Sequence, residues 1–301
     1  NIIKGENMLD FRHETFLALC SIKNYTRTAE FLHITQPAVT QHIKFLEEYY
    51  NVRLFNYEKK TLTLTPEGKL LYDYAMTMSA DNKKIKDILA EKDTESKTVS
   101  FGTTLTVGEY VMPGILGKLL GKYPKIRIMM SVNNTKVLLE KLKNGEINFV
   151  ILEGFFEKSK YDSVVFSEEE FIAVCSPDSE LRNRQVTLKE LLDERIILRE
   201  NGSGTRDIFE HILYRHNFTV ESFKRKCEAG NINVIKELVK NNCGITFLYK
   251  AAVEKELAEN QLGRINISGF SEKYEFNFVF LKDSIYKKDY LEWYNLLKNF
   301  R

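Results

Sequence analysis

One stretch decides the fold of the N-terminal region: TQPAVTQHIKFLE, residues 35–47. Thr35 has the residue type and position of a helix N-cap, and Pro37 falls in the first turn, where its missing N–H costs nothing. The helix predicted over 36–50 buries one apolar stripe, which consists of Val39, Ile43 and Leu46. A shorter predicted helix over 26–32 precedes it across a tight connection. Helix, turn and helix with a polar outer face are typical of a helix-turn-helix.

The polar face of the longer helix carries residue types that read DNA. The N-terminal half of a recognition helix enters the major groove, where amides bind adenine edges and hydroxyls and lysines bind phosphates. The predicted DNA contacts of this segment are Thr35, Gln36, Thr40, Gln41 and Lys44. Helix periodicity alone leaves an ordinary solvated face as the alternative.

Two extended segments follow the motif and form a predicted hairpin, or wing. Residues 52–55 and 61–65 are rich in apolar residues and threonine, and the second alternates between them, which is typical of short strands. The tip between them is basic. We expect Arg53, Lys59 and Lys60 to bind the DNA backbone beside the recognition helix.

A long helix is predicted from Pro66 to Asp93. Five of six positions at heptad-like spacing are apolar or aromatic, which favours a coiled-coil seam between two chains. These are Leu71, Tyr74, Met78, Ile85 and Ile88. Asp81 occupies the sixth position and interrupts the seam. An amphipathic helix packed on its own domain is the alternative.

The composition is that of a globular protein. The 301 residues are 43% hydrophobic and 12% aromatic, which suits two or three folded domains and excludes a disordered or collagen-like chain. With 44 basic and 42 acidic residues, the net charge of +2 gives no sign of a nucleic-acid partner. Residues 9–68 hold seven basic and seven acidic residues. We therefore expect one DNA-binding domain to bind weakly, and several copies together to bind usefully.

Sequence features also predict a cytoplasmic protein. The chain has no run of 18 apolar residues, and its first residues lack the apolar core of a signal peptide. The four cysteines are far apart and are expected to be reduced and buried. A redox pair of Cys227 with Cys243 is the alternative. Residues before Met8 are left out of the fold prediction.

Beyond residue 98, strands alternate with helices of 10–15 residues. This pattern predicts two similar α/β lobes with a mostly parallel sheet. Lobe I is expected over about 98–173 plus 274–301, and lobe II over about 174–273.

Two hydroxyl-rich turns are predicted to face each other between these lobes. They contain Thr103, Thr104 and Thr106, and Gly202, Ser203, Gly204 and Thr205. Hydroxyls and free N–H groups at a helix N-terminus hold anions, and ligands of such folds bind beyond the carboxyl ends of strands. The predicted ligand is therefore a small anion, with a simple helix cap as the alternative for the glycine-rich turn. Asn231 and Thr246 are further candidates, with a helix cap or a core-edge hydroxyl as the alternative for each.

The same residues carry a resemblance to a known family. The run TAEFLHITQPAVTQHIKFLE (28–47), VRLF (52–55) and LTLTPEG (62–68) resemble the DNA-binding domain of LysR-type transcriptional regulators. YVMP (110–113), YP (123–124) and GSGTR (202–206) resemble the effector domain of that family. The sequence departs from the family at Thr28, where alanine is frequent, and at Tyr57, where arginine is frequent.

This resemblance implies an α plus α/β architecture. Residues 8–66 would form a winged helix-turn-helix, 67–97 a dimerising linker helix, and 98–301 a two-lobed effector domain similar to periplasmic binding proteins. The implied partners are double-stranded promoter DNA, a small anionic metabolite, a second copy in a homodimer or homotetramer, and RNA polymerase if the protein activates transcription. No cofactor, metal or membrane is implied.

A solute-binding protein or an enzyme built on residues 98–301 is the rival hypothesis. The missing signal peptide argues against the first. The second lacks support because the five histidines form no H-E-x-x-H and the chain has no G-x-S-x-G. The sequence therefore predicts a regulator that is not an enzyme.

Overall fold

The structure, a computed structural model, describes residues 10–58, 61–90 and 98–301, which divide into two units. The first unit holds the described residues up to 90 together with 141–146 and 281–288, and the second holds the others. Within these described ranges, no helix combines the length and apolarity needed to cross a membrane.

Three helices and a hairpin begin the first unit: α1 (Phe11–Ile22), α2 (Tyr25–Leu32), α3 (Gln36–Tyr50), β1 (Phe55–Glu58) and β2 (Thr61–Leu64). Thr35 caps α3 as predicted, because its Oγ1 accepts a hydrogen bond from Ala38 N–H at 3.3 Å. The predicted α3 stripe is also buried. It contributes to a core shared by α1, α3 and the hairpin, which includes Phe16, Leu19, Ile43, Leu46, Leu54 and Leu62.

The hairpin is antiparallel, but its first strand starts later than predicted. β1 begins at Phe55, which pairs with Leu64. The preceding backbone has another partner, because the Leu54 N–H donates to Glu47 Oε1 at 2.8 Å. The predicted tip residues Lys59 and Lys60 lie outside the described residues.

Helix α4 (Pro66–Ala90) follows the hairpin directly. Three of the predicted seam residues are open to solvent, with exposed fractions of 58% for Tyr74, 36% for Met78 and 43% for Ile88. Asp81 is buried instead, with 8% exposed. Its carboxylate accepts hydrogen bonds from Ser284 Oγ at 2.6 Å and Ile285 N–H at 3.0 Å. Asp81 therefore faces the 281–288 segment and is not a defect in the exposed face.

The second unit is a mixed α/β structure. Its strands are β3 (Thr98–Thr103), β4 (Arg127–Val132), β5 (Phe149–Leu152), β6 (Tyr161–Cys175), β7 (Gln185–Val186), β8 (Arg195–Leu198), β9 (Arg225–Glu228), β10 (Thr246–Tyr249), β11 (Gly263–Ile267) and β12 (Glu272–Leu281). Its helices are α5 (Met112–Lys122), α6 (Thr135–Lys143), α7 (Gly204–Arg215), α8 (Ile232–Lys240), α9 (Glu254–Ala258) and α10 (Lys287–Asn299).

The main sheet has the strand order β4-β3-β5-β12-β6-β11-β7, with β10 also paired to β6. One end, β3 to β5 with α5 and α6, forms lobe I. The other end, with β7, β10 and β11, forms lobe II together with α7 to α9 and a separate two-stranded sheet of β8 and β9. β3 pairs in parallel with β4 and β5, whereas β12 with β5, and β10 and β11 with β6, are antiparallel. β7 with β11 and β8 with β9 are also parallel, so the sheet structure is mixed: parallel pairs occur in both lobes, and the antiparallel pairs are those made by β6 and β12.

The long strand β6 was not predicted. Its sequence contains Glu168, Glu169 and Glu170, a triplet that is typical of a solvated loop or a strand edge. In the structure Glu170 pairs with Arg264 at 2.5 Å and Glu169 pairs with Arg301. These ion pairs allow the acidic triplet to lie within β6, directly before the apolar residues that end the strand.

Candidate functional site

Of the predicted DNA-binding residues, the six that the structure describes are solvent-exposed. Thr35, Gln36, Thr40, Gln41 and Lys44 are all exposed on or beside α3, and Arg53 is exposed just before the hairpin. Gln36 Nε2 donates to Thr40 Oγ1 at 3.0 Å, so these two side chains form one polar pair on the first turns of the helix. This surface offers amides, hydroxyls and cations together, which is the chemistry of major-groove recognition.

Intramolecular ion pairs hold two of the cations. Lys44 Nζ lies 3.5 Å from Glu48 Oε1, and Arg53 Nη1 lies 3.4 Å from Glu47 Oε2. Both cations remain largely exposed, and exposed pairs of this kind are weak. A phosphate can therefore replace the carboxylate at low cost.

His42 belongs to the inner side of α3 and not to this surface. Its Nδ1 lies 2.9 Å from Thr15 Oγ1, and its ring packs edge-on against Phe11 at 4.8 Å between centroids. Burial lowers the pKa of His42, as does the nearby charge of Arg12, although Asp10 opposes them. The helix is thus fixed to α1 on its inner side.

Between the lobes, the two predicted hydroxyl sets meet around a buried carboxyl group. Thr104 Oγ1 and Thr205 Oγ1 both donate to Glu153, the second at 3.4 Å. Thr106 Oγ1 lies 3.3 Å from Thr205 Oγ1 across the cleft. Glu153 has only 1% of its surface exposed, and all three threonines are buried. The group that occupies the predicted anion position is therefore the protein's own carboxyl group.

Glycine makes this close approach possible. A Cβ atom on Gly204 would lie 2.6 Å from the carbonyl oxygen of Glu153, and one on Gly154 would lie 2.8 Å from Gly204 Cα. Gly154 also has a φ of +91°, which disfavours other residues. The turn after β5 and the start of α7 therefore contact each other backbone to backbone.

The electrostatics of Glu153 follow from its burial. Loss of water raises the pKa of Glu153 to about 7. Hydrogen bonds from its own backbone, Thr106 and Thr205, together with the charge of Arg199, limit that increase. Near neutral pH this carboxyl group therefore exchanges between a neutral and an anionic form.

Arg199 brings a positive charge to the same cleft. It directly follows β8, and 6% of it is exposed. Its Nε and Nη2 bind the two carboxylate oxygens of Glu200 at 2.8 Å each. Its Nη1 is buried and has no hydrogen-bond partner within the described part of the chain. This donor is available to an anion, since a buried cationic N–H without a partner is energetically costly.

Arg206 supports Arg199 rather than the cleft. Its Nη1 donates to the Arg199 carbonyl at 3.1 Å, and its guanidinium also pairs with Glu210 at 2.7 Å and Glu228 at 2.5 Å. The arginine of the GSGTR motif therefore fixes the backbone that carries Arg199.

The remaining predicted effector residues have other positions. Thr103 and Ser203 are buried beside the cleft residues, and Gly202 is exposed. Asn231 caps α8, because its Oδ1 accepts from Asn233 N–H at 2.9 Å. Thr246 Oγ1 donates to the Ile197 carbonyl at 2.7 Å inside lobe II. The structure thus brings Thr104, Thr106 and Thr205 to one point, and uses Asn231 and Thr246 within lobe II.

Glu153, Arg199 and Tyr249 were not among the predicted site residues. Each is the residue that ends or follows a buried strand, at the edge where ligands of α/β folds bind, and that position is the signal that could have found them. Tyr249 is fully buried, and burial together with the charge of Glu153 raises its pKa well above the usual value. Within the described ranges, no group of three His, Cys, Asp or Glu side chains could hold a metal ion.

Two family models match different parts of the chain. The "Bacterial regulatory helix-turn-helix protein, lysR family" matches residues 12–69, and the "LysR substrate binding domain" matches residues 92–298. The protein belongs to the LysR family. It is a LysR-type DNA-binding transcriptional regulator with an effector-binding domain, and the α plus α/β architecture predicted for it is confirmed.

Curated relatives of this LysR-type regulator are also regulators. The HTH-type transcriptional regulator CysL of Bacillus subtilis is 29% identical over 269 residues, which cover 88% of this chain and 89% of CysL. A probable RuBisCO transcriptional regulator of Phaeodactylum tricornutum is 27% identical, with 80% of each chain covered.

Solved structures share the fold of the regulator. A mutant of Corynebacterium glutamicum OxyR has a TM-score of 0.61 at 20% identity and covers 99% of this chain and 93% of its own. The regulatory domain of Synechocystis CcmR in complex with 2-PG has a TM-score of 0.58 at 24% identity. It covers 66% of this chain and 95% of its own.

Proposed function

We propose that the effector of this LysR-type regulator is a small anion, and that Arg199 binds it between the lobes. The observation that carries the proposal is the buried Nη1 of Arg199, which has no partner within the described residues. The charge of Arg199 acts on Glu153, the carboxyl group to which the buried hydroxyls of Thr104 and Thr205 donate. Small size follows from the geometry, because the two lobes already touch at Thr106 and Thr205.

Glu153 would act as the internal competitor of this anion. In its anionic form it repels an incoming anion and keeps the hydroxyls of Thr104 and Thr205 occupied. In its neutral form it gains an O–H donor that an anion can accept. Because the pKa of Glu153 is about 7, anion binding should weaken as the pH rises through neutrality.

The proposal also includes the macromolecular partners of the protein and its location in the cell. The exposed amides and cations of α3 support binding to double-stranded promoter DNA, and the exposed side chains of α4 support a homodimer or homotetramer. We place the protein in the cytoplasm, where promoter DNA is found, and assign it no catalytic activity. If it activates transcription, RNA polymerase would be a further partner.

A thermal-shift titration with sulfate tests the effector site, since sulfate keeps its charge across the pH range concerned. We expect sulfate to raise Tm more at pH 6 than at pH 8, and Arg199→Gln to abolish the rise. Arg184→Gln is the matched control, because Arg184 is an exposed cation of the same lobe. Two results would overturn the assignment. One is a sulfate-induced rise in Tm that persists in Arg199→Gln. The other is the absence of any rise in Tm of the wild type with sulfate, phosphate or acetate.

Gel-shift assays with the DNA upstream of the protein's own gene test the proposed DNA binding by the α3 surface. Binding should be specific for sequence and sensitive to salt. If non-specific competitor DNA abolished all binding to the upstream DNA, the α3 surface would not be a sequence-specific DNA-binding surface.

A further inference from the structure

Asp81 is the polar residue that interrupts the exposed apolar positions of α4, and the effector and DNA sites do not explain it. Both of its carboxylate oxygens are used by one short segment: Oδ1 accepts from Ser284 Oγ at 2.6 Å and Oδ2 from Ile285 N–H at 3.0 Å. Hydrogen bonds to a carboxylate are among the strong ones. Asp81 and Ser284 are both more than 90% buried, so water competes little for these bonds.

Neighbouring turns of α4 hold the same region. Thr77 Oγ1 donates to the Lys282 carbonyl at 3.2 Å, one turn before Asp81. Lys84 Nζ lies 4.2 Å from the ring centroid of Tyr286, within the range of a cation–π contact. The segment 281–288 is therefore attached to one face of the helix at Thr77, Asp81 and Lys84, which lie about one turn apart.

A second segment binds the helix from residues 141–146. Lys83 Nζ donates to the Asn144 carbonyl at 2.6 Å. Gly145 has a φ of +65°, and a Cβ atom there would lie 2.7 Å from Ala80 Cα. Glycine at this position lets the loop backbone reach the helix backbone.

The position of 281–288 in the chain gives these contacts a functional meaning. The segment joins β12 to α10, and β12 pairs with β5 through Asn277 and Leu152. Leu152 is the residue before Glu153. One strand pair and three residues of β12, 278–280, therefore separate Leu152, which precedes the carboxyl group in the cleft, from the segment that Asp81 holds.

We propose that Asp81 is a positioning residue that makes the linker helix and the 281–288 segment move as one body. A change at Glu153 then reaches the DNA-binding unit through β12 and the Asp81 hydrogen bonds. When these bonds are removed, the cleft and the DNA-binding surface respond independently.

A double-mutant cycle on the full-length chain tests this coupling. The four proteins are the wild type, Glu153→Gln, Asp81→Ala and the double variant, and the measurement is affinity for DNA from upstream of the protein's own gene. We expect Glu153→Gln to change the affinity about fivefold or more in the wild type, within the usual range of allosteric coupling, and less than about twofold when Asp81 is alanine. Equal factors in both backgrounds, or no change in either, would overturn the proposal.

Hydrogen exchange distinguishes a local role from a general loss of structure. In Asp81→Ala the Ile285 amide should exchange at least about tenfold faster, because it loses its acceptor. Asp87→Ala, at an exposed aspartate of the same helix, should leave that rate unchanged. If Asp81→Ala does not fold, Ser284→Ala is the second variant, because it removes one of the two hydrogen bonds. It should give a smaller effect of the same sign. If Ser284→Ala changed neither the exchange of the Ile285 amide nor the coupling to Glu153, the proposal would be contradicted. Sulfate binding, read on the same proteins, reports separately on the effector proposal.

Discussion

At the scale of single residues, the protein places a carboxyl group where the sequence predicts a bound anion. Glu153 takes the hydrogen bonds of Thr104 and Thr205, and its charge depends on pH near neutrality. Arg199 supplies the positive charge that the hydroxyl sets lack. The chemistry of the cleft is therefore a balance between one internal acid and one cation with a free donor.

Glu153→Gln should remove a pH dependence of stability. Because the folded-state pKa of Glu153 is raised from 4.5 to about 7, the folded state binds more protons than the unfolded state between these values. Stability should fall as the pH rises from 4.5 to about 7, by about 3 kcal/mol at 1.36 kcal/mol per pKa unit.

The measurement is chemical denaturation at pH 5, 6, 7 and 8. Glutamine keeps the shape of the side chain without the charge, so the variant should be more stable than the wild type at pH 8 and similar to it near pH 4.5. The control is Glu140→Gln at an exposed position of α6, which should leave the wild-type slope intact. A Glu153→Gln protein with the same slope as the wild type would show that Glu153 does not titrate in this range.

At the scale of elements, the cleft depends on the meeting of the turn after β5 with the first turn of α7. No side chain fits between Gly204 and the Glu153 carbonyl oxygen. The two turns can therefore touch only because the side chain at position 204 is a single hydrogen atom.

Gly204→Ala and Gly117→Ala should have opposite effects on stability. The first inserts a methyl group 2.6 Å from a backbone oxygen and should destabilise the protein by about 1–3 kcal/mol, as overpacking does. The second lies within α5, where a Cβ atom would have no neighbour within 4 Å, and should stabilise by up to about 1 kcal/mol through helix propensity. Thermal unfolding of both variants is the measurement, and a shared sign would refute the packing argument.

Local patterns predicted the elements that have clear periodicity or caps. The limits of α3 and the cap at Thr35 follow from residues within one turn of each other. The sequence could not predict β6, because the acidic triplet Glu168–Glu170 becomes acceptable only through Arg264 and Arg301, which lie far away in the chain. Glu153 and Arg199 could not be predicted as site residues for the same reason. Their contacts form only when distant parts of the chain come together in the fold.

At the scale of the whole molecule, the distribution of charge matters more than its sum. The net charge is +2, and residues 9–68 are neutral. The cations Lys44 and Arg53 lie on the α3 surface beside Glu48 and Glu47, which partly offset them. Affinity for DNA should therefore come from several weak contacts repeated in an oligomer.

Lys44→Ala should lower the salt dependence of DNA binding. Each phosphate contact that is lost reduces the magnitude of the slope of log K against log salt by about one per bound copy. The measurement is fluorescence anisotropy at several salt concentrations, on specific and non-specific DNA. Lys250→Ala, at an exposed lysine of the second unit, is the control and should leave the slope unchanged. Equal slopes for Lys44→Ala and the wild type would exclude Lys44 from the contact.

The attachment of 281–288 to α4 also decides where this protein can be cut for biochemical work. A fragment that begins at residue 98 carries Ser284 and Ile285 without their acceptor. A fragment that begins at Pro66 keeps Thr77, Asp81 and Lys83, and with them both loops. The longer fragment is therefore the right material for ligand screening and crystallisation.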